Sequence, residues 1–469
     1  AAEPQPGWLH KLHGWLCHHA HHRLTTAGWC HRSPVEPTDG ALTLLPQHEG
    51  DLSPACLDGS PYGLYFSPSK SGKSTKWTIF IQGGGWCYDE VGCNERAGTT
   101  LGSSTKWNRT RAGCGCMNTV DDGIDEDCNC LYMPYCDGAS FSGFRTATWP
   151  VPNSTDRLTF RGIKNLDAAL DWAFNMGLKT ATEFVLTGVS AGGLSTFLHA
   201  DRVAARVKSE APQIEKIRAA PVVGFFLDHD NFRHTTGVPN TPTWAQSNYT
   251  DRMTYIYGMQ NLSFGSDGGL TKACKAKHPD HPWLCFMSPH MVDVIETPFF
   301  VFNSKYDAWQ LSNIFQSFFD WNQLNWNQSS WILSNWATPA EKAGVLAYGA
   351  DFMTDFAQVM ADSKNGAFIT SCICHGCPWP NATALSIDGK SVYNHYADWM
   401  AGRTTGKDSI HIDTRTPNQR PAAAPSIVHA PAVRRVLSRG GIGVGGGDSP
   451  AELELELEAD ISAPAGWGW

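Results

Sequence analysis

The chain of 469 residues is 42% hydrophobic and 17% charged, proportions that are typical of a globular protein and exclude a largely disordered one. Its formal net charge is −9, and it has no basic stripe and no interleaving of basic and aromatic residues, so we expect no nucleic acid partner. It also has no run of about 18 or more apolar residues, so we expect no transmembrane segment.

Residues 1–55 are predicted to be poorly ordered, because Pro, Gly and His are scattered through them. Histidines cluster around Ala20 in this segment. A metal-binding patch would use such a cluster, but a solvated His-rich tail is the commoner outcome of this composition. We favour the tail and expect no metal site. The cluster consists of His18, His19, His21 and His22.

Residues 56–402 are predicted to form one globular unit. Its first clear strand is the apolar run 76–82, which leads into Gly83-Gly84-Gly85-Trp86. Glycines let backbone N–H groups approach a negatively charged oxygen closely, so this loop fits one side of an oxyanion hole. A generic glycine turn is the alternative. A phosphate-binding P-loop is excluded, because no Gly-Lys-Ser/Thr ending follows.

Segment 112–136 is rich in Cys, Asp, Gly and Asn. Its acidic residues lack the spacing of an EF-hand calcium loop, so we expect a loop held by disulfides.

The cellular compartment is indicated by 15 cysteines and six Asn-x-Ser/Thr sequons, which together favour secretion into an extracellular or cell-wall environment. The odd number of cysteines leaves at least one outside any intramolecular disulfide. No signal peptide is visible in this chain. The sequons begin at Asn108, Asn153, Asn248, Asn261, Asn327 and Asn381.

The most informative stretch is Thr187-Gly188-Val189-Ser190-Ala191-Gly192-Gly193, which follows a predicted amphipathic helix over 162–176. The apolar run 184–186 precedes it, and the helix-compatible segment 194–207 follows. A strand, Gly-x-Ser-x-Gly and a helix form the context of a nucleophile elbow, which presents its serine at the sheet edge. We favour this over an ordinary serine in a glycine turn. The N–H of Ala191 would then be the second oxyanion donor.

A serine nucleophile needs a histidine base and a carboxylate that orients it, and two positions fit by context. Asp307 follows the predicted strand 298–303, where α/β enzymes place functional loops. His375 lies in the cysteine-rich segment 372–377, which disulfides could hold. A helix N-cap for Asp307 and a zinc site in the Cys/His segment are the alternatives, although the spacing is cramped for zinc. The residues alone leave this choice open.

Alternating strands and helices across 56–402 predict an α/β fold with a mainly parallel central sheet. Beyond Gly402 the composition becomes Pro- and Ala-rich, then Gly-rich over 440–447, and ends with an alternating Glu-Leu stretch over 452–457. We expect 403–469 to be a low-complexity tail that buries no core of its own. Its removal is then expected to leave the melting temperature nearly unchanged.

Several separated segments within 56–402 occur together in an order that is similar to one known family. They are Cys-Leu-Asp-Gly-Ser-Pro at 56–61, Gly-Gly-Gly-Trp-Cys at 83–87, Leu-Gly-Ser-Ser at 101–104, Gly-Val-Ser-Ala-Gly-Gly at 188–193, Phe-Phe-Leu-Asp at 225–228, Asn-Ser-Lys-Tyr-Asp-Ala-Trp-Gln at 303–310, Cys-His at 374–375 and Ala-Asp-Trp at 397–399. The combination resembles the pectin acetylesterase/Notum family of secreted serine carboxylesterases, and looks closer to its plant pectin acetylesterase branch.

The resemblance implies an α/β-hydrolase-like fold with helices flanking the sheet and disulfide-stabilised loops. It also implies ester hydrolysis through an acyl-enzyme, with no metal or organic cofactor. The implied site residues are Ser190 as nucleophile, His375 as general base, Asp307 as the acid that orients it, and Gly84, Gly85 and Ala191 as oxyanion N–H donors.

The chain departs from this family at Gln82, where Glu is common; both side chains can hydrogen-bond the loop, so we expect the chemistry to persist. By resemblance the substrate is an O-acetyl ester of a pectin-like cell-wall or extracellular polysaccharide, and we expect a monomer. One alternative is a Notum-like deacylase that removes a fatty acyl group from a protein. Another is a catalytically silent, secreted glycan-binding protein, which the retained Ser, His and Asp argue against.

Overall fold

The computed structural model describes residues 40–47, 52–111, 114–117, 119–120, 123–124, 127–232, 248–263, 269–316, 338–375 and 386–417. The His-rich cluster, Cys377 and the chain after residue 417 therefore lie outside the described residues. The strands are β1 (Leu42–Leu44), β2 (Gly63–Ser67), β3 (Lys76–Ile81), β4 (Thr119–Val120), β5 (Gly123–Ile124), β6 (Asn129–Met133), β7 (Trp149–Pro150), β8 (Arg157–Leu158), β9 (Glu183–Val189), β10 (Lys216–Val222), β11 (Phe300–Ser304), β12 (Gly366–Thr370), β13 (Ser386–Ile387), β14 (Lys390–Ser391) and β15 (Ile410–Ile412).

The α-helices among these residues are α1 (Glu90–Ala97), α2 (Gly162–Asn175), α3 (Ala191–Glu210), α4 (Tyr249–Met259), α5 (Lys272–Lys277), α6 (Ser288–Met291), α7 (Ala308–Asn313), α8 (Pro339–Ala361) and α9 (Val392–Met400). Short 3-10 helices are formed by Ser104–Lys106, Leu178–Thr180, Pro282–Phe286, Val292–Val294 and Gly406–Ser409.

Nine of the described strands form one sheet in the order β1-β2-β6-β3-β9-β10-β11-β12-β15. Strands β1, β2 and β6 pair antiparallel, and from β6 to β15 every neighbouring pair is parallel. The prediction of a mainly parallel central sheet is therefore confirmed. The central strands are almost continuously buried because both faces of the sheet are covered, as parallel sheets require.

The two sides of β9 show how helices cover the sheet. Phe184 and Leu186 pack into the core that contains α2 and α3, whereas Val185 packs into a second core that contains α9. Alternate residues of one strand thus face two helical layers, which is the arrangement of an α/β fold. The helix predicted over 162–176 is observed as α2. Its apolar residues at helical intervals are all buried, namely Ile163, Leu166, Ala169, Leu170 and Ala173.

The sheet extends past both predicted limits of the globular unit, residues 56 and 402. Strand β1 pairs with β2 on one edge, and β15 pairs with β12 on the other. Asp413 continues this second edge, where its N–H donates to Ile369 O at 2.8 Å. Three-residue strands carry too little periodicity to be recognised in the sequence, so neither of these sheet edges was included in the predicted unit.

Five disulfides whose two cysteines both lie in the described ranges tie loops to this core. Two of them, Cys114–Cys130 and Cys116–Cys128, cross-link the predicted segment 112–136. The loop held by disulfides is therefore confirmed. The other pairs are Cys56–Cys136, Cys87–Cys93 and Cys274–Cys285. No helix in the described ranges has the length and apolar character needed to cross a bilayer.

Candidate active site

Ser190 occupies a sharp turn between β9 and α3. Its backbone has φ 60° and ψ −123°, a conformation that a residue with a side chain seldom adopts. The turn is held because Ser190 N–H donates to Val222 O at 2.9 Å and Ser190 O accepts from Leu194 N–H at 2.9 Å. A strained serine between a central strand and a helix is the geometry of a nucleophile elbow.

The flanking glycines are needed because backbone segments meet at the elbow. A Cβ added at Gly188 would lie 2.4 Å from Gly192 O, and one added at Gly192 would lie 2.2 Å from Ile81 O. Neither position therefore accepts a side chain without moving the backbone. The end of β3, and with it the glycine loop that follows, is thus packed directly against the elbow.

The structure brings Ser190, His375 and Asp307 together from three separate strand ends. His375 Nε2 lies 2.9 Å from Ser190 Oγ, and His375 Nδ1 lies 2.9 and 2.8 Å from the two carboxylate oxygens of Asp307. Asp307 is fully buried and Ser190 is 2% exposed. A proton on Nδ1 satisfies Asp307 and leaves the Nε2 lone pair directed at the serine hydroxyl, which is the arrangement needed to remove its proton.

Asp307 also caps α7, the role given above as the alternative to an orienting acid. Its Oδ1 accepts from Gln310 N–H at 3.0 Å while both carboxylate oxygens contact His375. The cap fixes the carboxylate at the first turn of α7. The two roles are therefore compatible, and the cap orients the group that holds the histidine.

The zinc alternative fails among the described residues of the Cys/His segment. Cys374 is engaged in a disulfide, and both ring nitrogens of His375 are engaged with Ser190 and Asp307. Cys372 is a free, buried thiol, and burial raises its pKa to about 12, so it stays protonated. A protonated thiol and an oxidised cysteine are poor metal ligands.

The glycine loop adopts backbone conformations that favour glycine. Gly84 has φ +141° and Gly85 has φ +61°. A Cβ on Gly84 would also lie 2.7 Å from the side chain of Leu101. A Cβ on the neighbouring Gly83 would lie 2.9 Å from the Cβ of Ser190. The glycine loop, which contains the predicted donors Gly84 and Gly85, therefore starts in contact with the elbow.

Arg96 of α1 holds this loop, and no sequence motif indicated it. Its Nη1 donates to Gly84 O at 2.8 Å and its Nε donates to Leu101 O at 3.0 Å. The guanidinium also lies over the ring of Tyr135, 4.9 Å from the centroid. The planar guanidinium of Arg96 therefore fixes the Gly84 peptide relative to Leu101, whose side chain packs on Gly84.

Ser140 links the glycine loop to Ala191, the other predicted source of an oxyanion donor. Trp86 Nε1–H donates to Ser140 Oγ at 2.9 Å, and Ser140 Oγ–H donates to Ala191 O at 2.8 Å. Ser140 is buried and has φ 51°. Its contacts join segments 51 and 54 residues away, and no local pattern in the sequence indicates this residue.

Gln82, the departure from the family pattern, contacts a different segment from the one expected. Its Oε1 accepts from Tyr135 N–H at 3.0 Å, so it supports the segment after β6. Asp137 follows in that segment, and its Oδ2 accepts from Ala139 and Phe141 N–H at 3.2 and 2.9 Å. Burial raises the pKa of Asp137 to about 7.

Aromatic rings fill the space beside the histidine. The ring centroids of Phe226 and Trp309 lie 6.3 and 6.2 Å from that of His375, and Trp86 packs edge-on against both of them at 5.0 and 5.4 Å. Gln310 fixes this wall: its Nε2–H donates to Phe225 O at 3.0 Å. The histidine is therefore enclosed by side chains that exclude water from one side.

The family model described as Pectinacetylesterase matches residues 35–423. The chain belongs to the pectinacetylesterase family. Among curated relatives in this family, Pectin acetylesterase 5 of Arabidopsis thaliana is 29% identical over 380 residues, which cover 79% of this chain and 83% of that protein. Pectin acetylesterase 4 of Arabidopsis thaliana is 30% identical over 356 residues, covering 74% and 80%. The resemblance to the pectin acetylesterase/Notum family that the separated motifs indicated is therefore confirmed.

The second branch of the family is also similar. Palmitoleoyl-protein carboxylesterase NOTUM of Homo sapiens is 28% identical over 267 residues, which cover 56% of this chain and 50% of that protein. A solved structure of the Wnt deacylase Notum from Drosophila superposes with a TM-score of 0.63 at 22% identity, covering 83% of this chain and 99% of that one. This structural likeness confirms the predicted α/β-hydrolase-like fold.

Proposed function

We propose that this protein is a serine carboxylesterase that hydrolyses O-acetyl esters of a pectin-like polysaccharide. The observation that carries the proposal is the continuous hydrogen-bonded chain from Ser190 Oγ through His375 to the buried carboxylate of Asp307. Ester hydrolysis needs a nucleophile, a base within hydrogen-bond reach and an acid that orients the base, and these three side chains meet those geometric demands.

In the proposed mechanism His375 Nε2 accepts the proton of Ser190 Oγ as the oxygen attacks the acyl carbonyl carbon. Asp307 stabilises the imidazolium that forms. The carbonyl oxygen becomes an oxyanion, which the N–H groups of Gly84, Gly85 and Ala191 are proposed to stabilise; one such donor is worth about 2.7–4 kcal/mol of barrier. His375 then protonates the departing sugar oxygen, and a water molecule activated by His375 cleaves the acyl-enzyme.

A small acyl group is supported by the aromatic wall. Phe226 is completely buried and Trp86 is 6% exposed, so the space beside His375 on that side is occupied by rings. The similarity to the Arabidopsis pectin acetylesterases supports a polysaccharide ester as the substrate. Notum is a palmitoleoyl-protein carboxylesterase by name, so a long acyl chain on a protein is the second candidate.

A series of p-nitrophenyl esters from acetate to palmitate tests both candidates, with acetate release from O-acetylated pectin measured in parallel. We expect kcat/KM to fall steeply beyond butyrate and expect pectin to release acetate. A maximum at long chains would favour the deacylase. Ser190→Ala is the control, and a fluorophosphonate probe that labels Ser190 in the unmodified protein identifies the nucleophile directly by peptide mass.

We also propose that the protein works outside the cytoplasm, because its described cysteines form several disulfides that a reducing compartment would open. Two sequon asparagines, Asn108 and Asn153, are exposed and suited to carry glycans. Detection of the glycosylated protein in the medium or cell wall of its source would support this location, and a purely cytoplasmic pool would contradict it.

A further inference from the structure

A cavity lies apart from Ser190, between the start of α1, the loop at 145–149 and the exposed face of α4. Its volume is about 420 Å³, within the range of ligand-binding clefts. Its walls include Glu90, Arg145, Trp149, Tyr255 and Gly258. None of these residues belongs to the hydrogen-bonded chain proposed for catalysis.

Glu90 fixes the two aromatic side chains of the cavity. Trp149 Nε1–H donates to Glu90 Oε1 at 3.0 Å, and the Tyr255 hydroxyl donates to both carboxylate oxygens at 3.1 and 3.0 Å. Partial burial alone would raise the pKa of Glu90, but the hydrogen bonds it accepts outweigh burial and lower that pKa. The carboxylate is therefore ionised and holds both rings in place, although Tyr255 remains 40% exposed.

Arg145 covers one face of Trp149, with its guanidinium carbon 3.8 Å from the ring centroid. Its side chain also donates to the carbonyl oxygens of Gly258 and Met259 at the end of α4. These contacts hold the 145–149 loop against the helix, so the cavity is a built site rather than a gap between mobile side chains.

One face of α4 forms the opposite wall. Asp251, Tyr255 and Gly258 line the cavity at helical intervals of four and three residues. A Cβ added at Gly258 would meet no atom of the described chain within 4 Å. The missing side chain at Gly258 therefore keeps this wall open beside the ring of Tyr255.

The chemistry of these walls suits a sugar. Pyranose rings present an apolar face of C–H groups that stacks on an aromatic ring, while their hydroxyls donate to carboxylates such as Glu90 and Asp251. Two carboxylates against the single cation of Arg145 leave a negative charge at the cavity. A polyanionic chain would be repelled there, whereas an uncharged sugar or an esterified uronate would not.

We propose that this cavity is an accessory sugar-binding subsite that takes uncharged residues of the polysaccharide substrate. The proposal rests on the proposed polysaccharide esterase function. The cavity is connected to the candidate active site through α4. The ring centroid of Tyr249, the first residue of α4, lies 6.1 Å from that of Trp86 in the glycine loop. A polymer bound at the subsite would thus be held by the elements that support the catalytic loop.

The test introduces a larger side chain at Gly258, so that it occupies the cavity. In Gly258→Leu the new side chain enters the cavity without a clash and replaces a poor helix former, so the fold should be kept. Gly115→Leu is the matched control, because Gly115 is also exposed, a Cβ there would meet no described atom within 4 Å, and Gly115 does not line the cavity. Tyr255→Ala removes the exposed ring as a second, independent variant.

Binding is measured by affinity electrophoresis with Ser190→Ala added to every variant, so that no substrate is consumed. We expect highly methyl-esterified pectin to retard the parent protein more than polygalacturonate does. We also expect Gly258→Leu and Tyr255→Ala to weaken that retardation by roughly fivefold or more and Gly115→Leu to keep it. With the serine restored, KM for O-acetylated pectin should rise in the cavity variants while p-nitrophenyl acetate turnover stays constant.

Three results would overturn the subsite. They are unchanged retardation of both cavity variants, stronger retardation by polygalacturonate than by esterified pectin, and no retardation of the parent protein in either gel. Loss of the proposed esterase function is a separate result: retardation that depends on Gly258 without any serine-dependent acetate release would leave the sugar site standing and remove the catalytic proposal.

Discussion

Arg96 Nη1 donates a 2.8 Å hydrogen bond to the carbonyl oxygen of Gly84, the residue at the centre of the glycine loop. A peptide whose carbonyl is fixed also has a fixed plane, so this bond orients the N–H of the next residue, Gly85. Arg96 is partly buried, and desolvation is the main influence that lowers its pKa. We therefore interpret Arg96 as a positioning residue for the proposed oxyanion hole.

The corresponding prediction concerns Arg96→Lys and Arg96→Met. Lys keeps a charge but loses the fork that joins Gly84 to Leu101, so we expect kcat for p-nitrophenyl acetate to fall roughly tenfold, less than the loss of an oxyanion donor would cause. Met should lower kcat further. KM should change little, because the loop is proposed to act on the transition state. Near-UV circular dichroism checks that each variant is folded, and an unaltered kcat in Arg96→Met would refute the positioning role.

Asp307→Asn tests the orienting acid. An Asn side-chain oxygen can still cap α7 by accepting from Gln310 N–H, so we expect the melting temperature to change little. The amide would favour the wrong tautomer of His375, and kcat should fall by a factor of about 10⁴. Steady-state kinetics on p-nitrophenyl acetate, with thermal melting of the same sample, measures both effects. A variant that retains kcat would transfer the acid role to another residue.

Two truncations locate the end of the fold. Removal of residues 403–469 deletes β15 and Asp413, whose carbonyl accepts from Lys305 Nζ at 2.7 Å and whose carboxylate accepts from Ser371 Oγ at 2.6 Å. The buried ammonium of Lys305 would lose its acceptor, so we expect a clear drop in melting temperature. Removal of 418–469 keeps all of these contacts and should leave the melting temperature nearly unchanged. Equal melting temperatures for the two truncations would contradict this boundary.

The positions that the sequence indicated differ from those that it missed in whether a local pattern marks them. The reach of their contacts does not decide this, because His375 meets Ser190 185 residues away. Ser190 lies within a local motif, and short windows of sequence made Asp307 and His375 candidates, whose choice then rested on the family resemblance. The contacts of Arg96 and Ser140 join segments with no common pattern: Ser140 meets Ala191 51 residues away. Gln310 stood within a recognised motif, but its bond to Phe225, 85 residues away, gave no local signal.

Asp137 predicts a pH dependence of stability that is separate from catalysis. Burial raises its pKa to about 7, above the ordinary value of 3.8 expected in the unfolded chain. The folded state therefore holds a proton more tightly than the unfolded state does. The stabilising contribution is complete below about pH 4 and is lost as the pH rises through about 7.

The matched variant is Asp137→Asn, which keeps an oxygen to accept from the N–H groups of Ala139 and Phe141 but does not titrate. Urea unfolding of both proteins between pH 4 and pH 8 gives the difference in the free energy of unfolding. We expect this difference to grow in favour of Asp137→Asn as the pH rises, by an amount on the order of a few kcal/mol. A difference that is constant with pH would show that the Asp137 carboxyl is ionised in the folded state across this range, and would contradict the raised pKa.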